Sequence, residues 1–338
     1  MRAAALCAAA LLAGCATTPA PVGLAPAPVT ATGQTAPVGT ANADAADDPA
    51  IWRNAADPAA SLIVATDKKA GLYVYGLDGA IRSFVDGGQV NNVDLVDMGA
   101  AGVIVIASDR NDLTRAKAQL YRLDTAAAVL QPLGTLPVGA GEAYGMCATG
   151  RGGQLVIYSP VKEGTIYEQR ITLGGPAPTA AMLRTLSVPT QPEGCVVDHR
   201  DGTLFVGEED AGIWRFGPAA TSGELVASVD NRYLIADTEG LGLVPEGATG
   251  GWLVASSQGD NAYSVFRLPD MVPLGRFAVV PGAAIGGAEE TDGIEVIAGD
   301  FGPDYPQGLF IAQDGYNEPA AQNFKLVSWA AIKAALGL

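Results

Sequence analysis

One pattern recurs six times between Asp47 and the C-terminus, and it constrains the fold more than any other feature of the chain. Each copy runs from a polar residue through a short apolar strand, a Gly/Pro/Asp turn and a second apolar strand to a polar cluster. The copies begin at Asp48, Asn92, Tyr144, Glu193, Glu239 and Asp292, at spacings of 44–53 residues. In one, Asn91-Asn92-Val93-Asp94 leads to Val105-Ile106-Ala107-Ser108-Asp109-Arg110; in another, Glu239-Gly240-Leu241 leads to Val254-Ala255-Ser256-Ser257-Gln258. Third and fourth strands follow, as at residues 71–75 and 80–84, and again at 265–268 and 275–278. Repeats of this length that hold several short strands are propeller blades. Helical character is confined to Trp329–Leu336. The expectation is an all-β chain, a six-bladed β-propeller with a central channel, over residues 47–338.

The two ends of the chain differ in kind. Arg2 followed by the uncharged run 3–13 reads as an export signal, with about 11 apolar or small residues where a spanning helix needs ~20. Leu12-Ala13-Gly14-Cys15 resembles the lipobox of bacterial lipoproteins, which implies lipidation at Cys15 and anchoring to the envelope, at the outer membrane or in the periplasm; the alternative is simple secretion. Residues 16–46 carry no aromatic residue, no Lys or Arg, and one charge, Asp44. On composition alone they read as a disordered tether. Cys147 and Cys195 could pair in an oxidising compartment, but they occupy equivalent places in neighbouring repeats, a separation usually too wide for a bond, and two buried thiols are the preferred reading.

Charge and histidine content narrow the chemistry. With 36 acids against 20 bases the net charge is −16, which excludes nucleic acid as a partner through counterion release. His199 is the one histidine and reads as a turn residue, so imidazole triads, histidine metal cages and two-histidine phosphatase chemistry are excluded. In a propeller the first-strand starts converge on one end of the channel. They hold Asp47, Asp48, Asn92, Asp94, Tyr144, Glu193, Asp237, Glu239, Glu290 and Asp292. The second-strand ends add Lys68, Lys69, Arg110, Lys162, Glu208, Glu209, Asp210 and Asp314. So many carboxylates cannot share one mouth and all ionise without cations. An all-oxygen donor set selects a hard ion, Ca²⁺ above all, and several ions rather than one. The interleaved bases then suit an anion bridged by metal, the arrangement phosphoryl transfer needs.

The same residues carry a family resemblance. Asp47-Asp48-Pro49-Ala50-Ile51-Trp52, Lys68-Lys69-Ala70-Gly71-Leu72-Tyr73, Asn91-Asn92-Val93-Asp94, Glu208-Glu209-Asp210, Ser256-Ser257-Gln258-Gly259, Thr291-Asp292-Gly293-Ile294 and Gln322-Asn323-Phe324-Lys325 resemble the motifs of the bacterial β-propeller phytases. The resemblance implies a 3-phytase-type phosphoric monoester hydrolase that removes phosphate from phytate (myo-inositol hexakisphosphate) or its calcium complex, with Ca²⁺ ions both catalytic and structural. It implies direct attack by a metal-activated water, without a phosphoenzyme. Carried over by motif, Glu193, Glu209, Glu239 and Asp292 are catalytic. Asp48, Asn92, Asp94 and Asp237 join them as metal ligands, and Asp314 and Asn317 hold a stabilising calcium. Lys68, Lys69, Arg110, Tyr144, Lys162 and Lys325 contact phosphate. The chain differs from the family in having Pro192 before Glu193 and glutamates at 290 and 295 in place of aspartates. Two other readings share the fold: a calcium-dependent lactonase or esterase, which has no use for the Lys/Arg ring, and a non-catalytic envelope propeller, which would carry apolar mouth residues. The expected enzyme is a monomer that meets a membrane only through its lipid.

Overall fold

The computed structural model describes residues 23–338, so Cys15 and the export signal lie outside the described residues. Six sheets form the blades of a propeller. Their innermost strands are Ala46–Trp52, Val90–Asp97, Cys147–Thr149, Pro192–Asp198, Thr238–Glu246 and Ile294–Ala298. From each, an antiparallel meander runs outward to the rim. The helix Trp329–Leu336 follows the last strand, where the sequence places it.

The second strand of each blade is covered on both faces, which explains its unbroken apolar run. In Leu62–Asp67 every residue is buried. Alternation still sorts its side chains: Leu62 and Val64 pack with Val90, Val93 and Val105 of blade 2, whereas Ile63 and Ala65 pack with Leu309 and Ile311 of blade 6. Each of the six apolar cores therefore lies between two blades, and the ring is held by blade-to-blade burial.

Ring closure departs from expectation. Blade 6 takes only three strands from the C-terminal end of the chain, Ile294–Ala298, Gly308–Asp314 and Asn323–Ser328. Its outermost strand is Gly33–Gln34, paired antiparallel with Asn323–Ser328. Ala27–Val29 adds a parallel edge to blade 5. Over residues 23–46 the expected tether is thus an integral part of the propeller. Val29 joins the core around Trp329, and Val38 the core between blades 1 and 6. Its Ala/Pro/Thr composition would not fold alone, but an existing sheet edge supplies the backbone partners, and an edge tolerates Pro28.

The cysteines also depart from the reading as free thiols: Cys147 and Cys195 form a disulfide with Cα atoms 5.7 Å apart. Both lie on innermost strands, where neighbouring blades converge on the axis and equivalent positions come within bonding range. His199 occupies an exposed turn, as expected.

A chain beginning at residue 47 loses the outer strand of blade 6 and two buried valines. At ~1.5–3 kcal/mol for each apolar side chain and ~2–4 °C per kcal/mol, its melting temperature should fall by about 10 °C or more relative to a chain beginning at residue 23. Equal melting curves by circular dichroism would show that the segment does not close the ring.

Candidate active site and metal centre

Two positions per blade build the channel mouth. The first is a β-bulge on the innermost strand. Pairing with the second strand skips between Ala46 and Pro49, Val90 and Val93, Pro192 and Cys195, and Thr238 and Leu241. A bulge releases residues from the ladder and re-aims their side chains. The released residues are Asp47 and Asp48, Asn91 and Asn92, Glu193 and Gly194, and Glu239 and Gly240. Tyr144-Gly145 and Asp292-Gly293 hold the matching places in blades 3 and 6.

Glycine follows the site residue in four blades because the next blade leaves no room. A Cβ on Gly145 would lie 2.0 Å from the Glu193 carbonyl oxygen, and one on Gly194 2.2 Å from that of Glu239. Gly240 N donates to Asp292 O at 3.1 Å and Gly293 N to Asp47 O at 3.0 Å, so the backbones of neighbouring blades bond directly around the axis.

The second position, in five blades, closes the second strand: Lys68, Arg110, Glu209 and Gln258 follow it directly, and Lys162 lies one residue further on. Each backbone N–H donates to a carbonyl just before the bulge, at Ala45, Gln89, Glu142, Gln191 and Asp237 respectively, over 2.7–3.1 Å. The mouth is consequently polarised. Blades 1 to 3 contribute the bases Lys68, Arg110 and Lys162. Blades 4 to 6 contribute Glu193, Glu209, Glu239 and Asp292.

Within this mouth, Glu193, Glu209 and Glu239 each bring a carboxylate oxygen within 4.8 Å of the others. Both carboxylate oxygens of Asp47, and Oε2 of Glu239, are buried without a hydrogen-bond partner among the described residues. Unpaired buried carboxylate oxygens are costly, and an all-oxygen set of this kind fits a hard divalent cation. Lys68 Nζ lies 3.1 Å from Asp292 and 3.7 Å from Asp47. Arg110 pairs with Glu142, and both Arg110 and Lys162 lie over the Tyr144 ring, at 5.1 and 5.0 Å from its centroid. Lys69 is exposed beside Lys68, and Asp237 is half-buried at the rim.

Burial dominates the electrostatics. It pushes the Glu193 carboxyl up to about 7, assisted by Asp47, and raises Glu239 well above the usual range, with Glu193 and Asp292 adding repulsion. Burial likewise raises Asp47, Asp292, Glu209 and Asp237. Burial opposes the Lys68 ammonium, but Asp47, Asp292 and Asp44 outweigh it and raise its pKa.

The remaining expected ligands sit elsewhere. Asp48, Asn92 and Asp94 line a small cavity deeper in the channel, together with Glu295. Burial pushes Asp94 to about 7 and Glu295 to about 8. Lys325 does not reach the mouth. It is fully buried, with Nζ 2.8 Å from Asp314 and 2.9 Å from both Gln34 and Asn323. The other Asp314 oxygen accepts the N–H groups of Glu289 and Tyr316, and Asn317 Oδ1 faces Lys325 at 3.4 Å. Lys325 thus neutralises Asp314 and lies beside Asn317, away from the carboxylates and bases gathered at the mouth.

Sequence reasoning missed the amides that hold the carboxylates. Asn91 Nδ2 donates to Glu193 at 2.6 Å while its Oδ1 accepts from Arg110 at 2.5 Å. Gln191 donates to Glu209 and, at 3.3 Å, to the Tyr144 hydroxyl; Gln258 donates to Asp292. Asn91 shares the bulge with Asn92, and Gln258 shares the repeat position of Lys68 and Arg110, so both carried a positional signal.

The chain is similar to known proteins over most of its length. The sequence model of the family described as Phytase matches residues 3–338. The chain is 34% identical over 329 residues to the 3-phytase of Bacillus subtilis (strain 168), spanning 91% of this chain and 85% of that protein. Among solved structures, a chain of the mitotic checkpoint complex matches with a TM-score of 0.53 at 12% identity, over 97% of this chain and 86% of that one, a likeness of fold alone.

These raised pKa values set a stability profile. The folded state holds protons that the unfolded chain releases near 4.5 for glutamate, and gives them up only near 7 for Glu193 and 8 for Glu295. Their contribution is complete below the unfolded value and is lost as pH rises through the folded one. In chelator, the melting temperature should fall between about pH 5 and 8 by an amount reflecting a few kcal/mol, and added Ca²⁺ should flatten the slope. A flat profile in chelator would contradict the burial argument.

Proposed function

The chain belongs to the phytase family and is a phosphoric monoester hydrolase; on that premise we propose that it hydrolyses phytate to lower inositol phosphates and phosphate in a calcium-dependent reaction. The observation that carries this reading is the polarised mouth, with three bases on one side and the clustered carboxylates of Glu193, Glu209 and Glu239 on the other, Glu239 Oε2 being unpaired among the described residues. Glu193, Glu209, Glu239 and Asp292, with Asp237 at the rim, are the proposed calcium ligands, and Asp48, Asn92 and Asp94 hold a further ion in the channel. Bound there, calcium supplies neutralisation of the phosphate oxygens and acidification of water. Lys68, Arg110 and Lys162 clamp phosphoryl oxygens from the opposite side, and exposed Lys69 extends the clamp toward a neighbouring phosphate. Asn91 and Gln191 orient Glu193 and Glu209. Tyr144, stacked under two cations, keeps the basic wall in place. Water attacks phosphorus as the glutamate group takes a proton from it, the P–O ester bond breaks, and the glutamate group returns that proton to the inositol oxygen, which leaves as a hydroxyl. A neutral lactone gains nothing from the three bases, so the hydrolase of polyanions is the better fit.

The protein, freed of calcium by chelation and then titrated with Ca²⁺ near neutral pH, should release phosphate from phytate only as calcium returns. Glu209→Gln should lower the rate by about 100-fold. No release at any calcium level from folded protein overturns the proposal.

We further propose export and lipid anchoring at Cys15, supported by the Leu12-Ala13-Gly14-Cys15 motif and by the Cys147–Cys195 disulfide, a bond that persists in oxidising compartments. Cells fed a clickable palmitate should label the wild-type chain and leave Cys15→Ala unlabelled; equal labelling of both overturns the anchor.

A further inference from the structure

Asp44 is an exposed carboxylate that pairs with a proposed phosphate-clamping base and has no role in the scheme above. Asp44 Oδ2 lies 2.9 Å from Lys68 Nζ, and its side chain is 65% exposed, whereas that of Lys68 is 11% exposed. The other partners of Lys68, Asp292 and Asp47, approach from the protein side, at 12% and 0% exposure. Asp44 therefore covers Lys68 from the solvent, the direction from which an anion arrives.

The backbone lets it move. The arch 41–44 is pinned at one end by Gly39 N to the Tyr73 hydroxyl (2.9 Å) and Thr40 N to Asp67 (3.0 Å). At the other end Ala45 N and Ala46 N donate to Gln322 at 2.7 and 2.9 Å, and Ala45 O accepts from Lys68 N at 2.7 Å. Between these anchors the N–H groups of residues 41–44 make no hydrogen bond among the described residues. Asp44 also lines two open pockets at the rim, one with Asp237, Gln258 and Asp292, the other with Tyr316 and Glu318. The crown can swing aside without breaking a backbone bond.

We propose that Asp44 is a displaceable stand-in for a substrate phosphate: its carboxylate occupies Lys68 Nζ when no anion is bound, and an incoming phosphoryl group must displace it. The inference rests on the reading of Lys68 as a phosphate contact. Asp44 is the solvent-exposed member of the pair and offers Lys68 a single negative charge, so a dianionic phosphate with a second cationic partner wins the exchange, while a singly charged anion competes on even terms. Asp44 is thus a specificity-determining residue that favours doubly charged phosphate and sets the affinity for it.

Calorimetric titration of the calcium-loaded protein with inorganic phosphate tests this, using wild type, Asp44→Asn and Glu318→Gln. Glu318 shares the rim pocket, so its variant reports the general effect of removing one negative charge. Asp44→Asn should bind phosphate about fivefold more tightly, and Glu318→Gln should stay within about twofold of wild type. Equal tightening in both variants, or none in Asp44→Asn, overturns the proposal. Weaker binding with a higher calcium requirement in Asp44→Asn also overturns it, by making Asp44 a metal ligand. Binding by neither wild type nor variant removes Lys68 as an anion site and the inference with it. Because the probe is inorganic phosphate, the titration reads Asp44 even if phytate is not cleaved, and the two failures stay separate.

Discussion

The narrowness of the channel governs the rest of the structure. Innermost strands of neighbouring blades approach so closely that their backbones hydrogen-bond across the blade boundary, as Gly240 N does to Asp292 O and Gly293 N to Asp47 O. No Cβ fits at those contacts, which places glycine after the mouth residue in four blades. The same crowding breaks strand pairing at the bulges, and the bulges turn Asp47, Asn91, Glu193 and Glu239 toward the axis. Packing and chemistry thus share one local motif, a polar residue followed by a small one, and neither can change without the other.

That arrangement costs stability. Carboxylates gathered at the mouth are buried, partly unpaired, and raised in pKa by burial and mutual repulsion. Amides from Asn91, Gln191 and Gln258 satisfy some of the oxygens without cancelling any charge. The blade-to-blade cores and the N-terminal strand offset the strain, so the site relies on closure at the far rim of blade 6. Where the protein supplies its own cation, at Lys325 beside Asp314, the carboxylate is fully satisfied. That saturated pair contrasts with the mouth, where Glu239 Oε2 has no hydrogen-bond partner among the described residues and Asp47 meets Lys68 only at 3.7 Å, and the contrast supports the proposal of an outside cation there.

Features tied to the repeat were legible in the sequence. The six anchors, the Glu-Gly and Asp-Gly pairs and the basic second-strand ends of blades 1 to 3 follow from periodicity, and the helix at Trp329–Leu336 was read at the residues where it forms. Features that depend on contact between distant parts of the chain were not. Gly33–Gln34 looks like linker because its partners are backbone groups of Asn323–Ser328, which no composition reveals, although the missing fourth strand of the last repeat was a cue. The disulfide was misjudged because blade spacing shrinks toward the axis, and repeat periodicity says nothing of radius. The inward direction of Lys325 was not legible, because a motif match fixes the residue and leaves its direction open; three polar neighbours turn it inward.

The closing segment has a second consequence. Chain that completes blade 6 at Gly33–Gln34 must cross to blade 1 to begin the first innermost strand at Ala46, and the route passes over the mouth. Its anchors, Tyr73 and Asp67 of blade 1 and Gln322 of blade 6, lie on either side of that crossing. Asp44 sits on the crossing, so the topology that seals the ring also delivers a carboxylate to Lys68. A propeller closed by its C-terminal strand alone would have no chain there. Under the role proposed for Asp44, the placement of a phosphate competitor follows from how the ring is closed, and anion binding at the mouth is coupled to the same strand that holds the blades together.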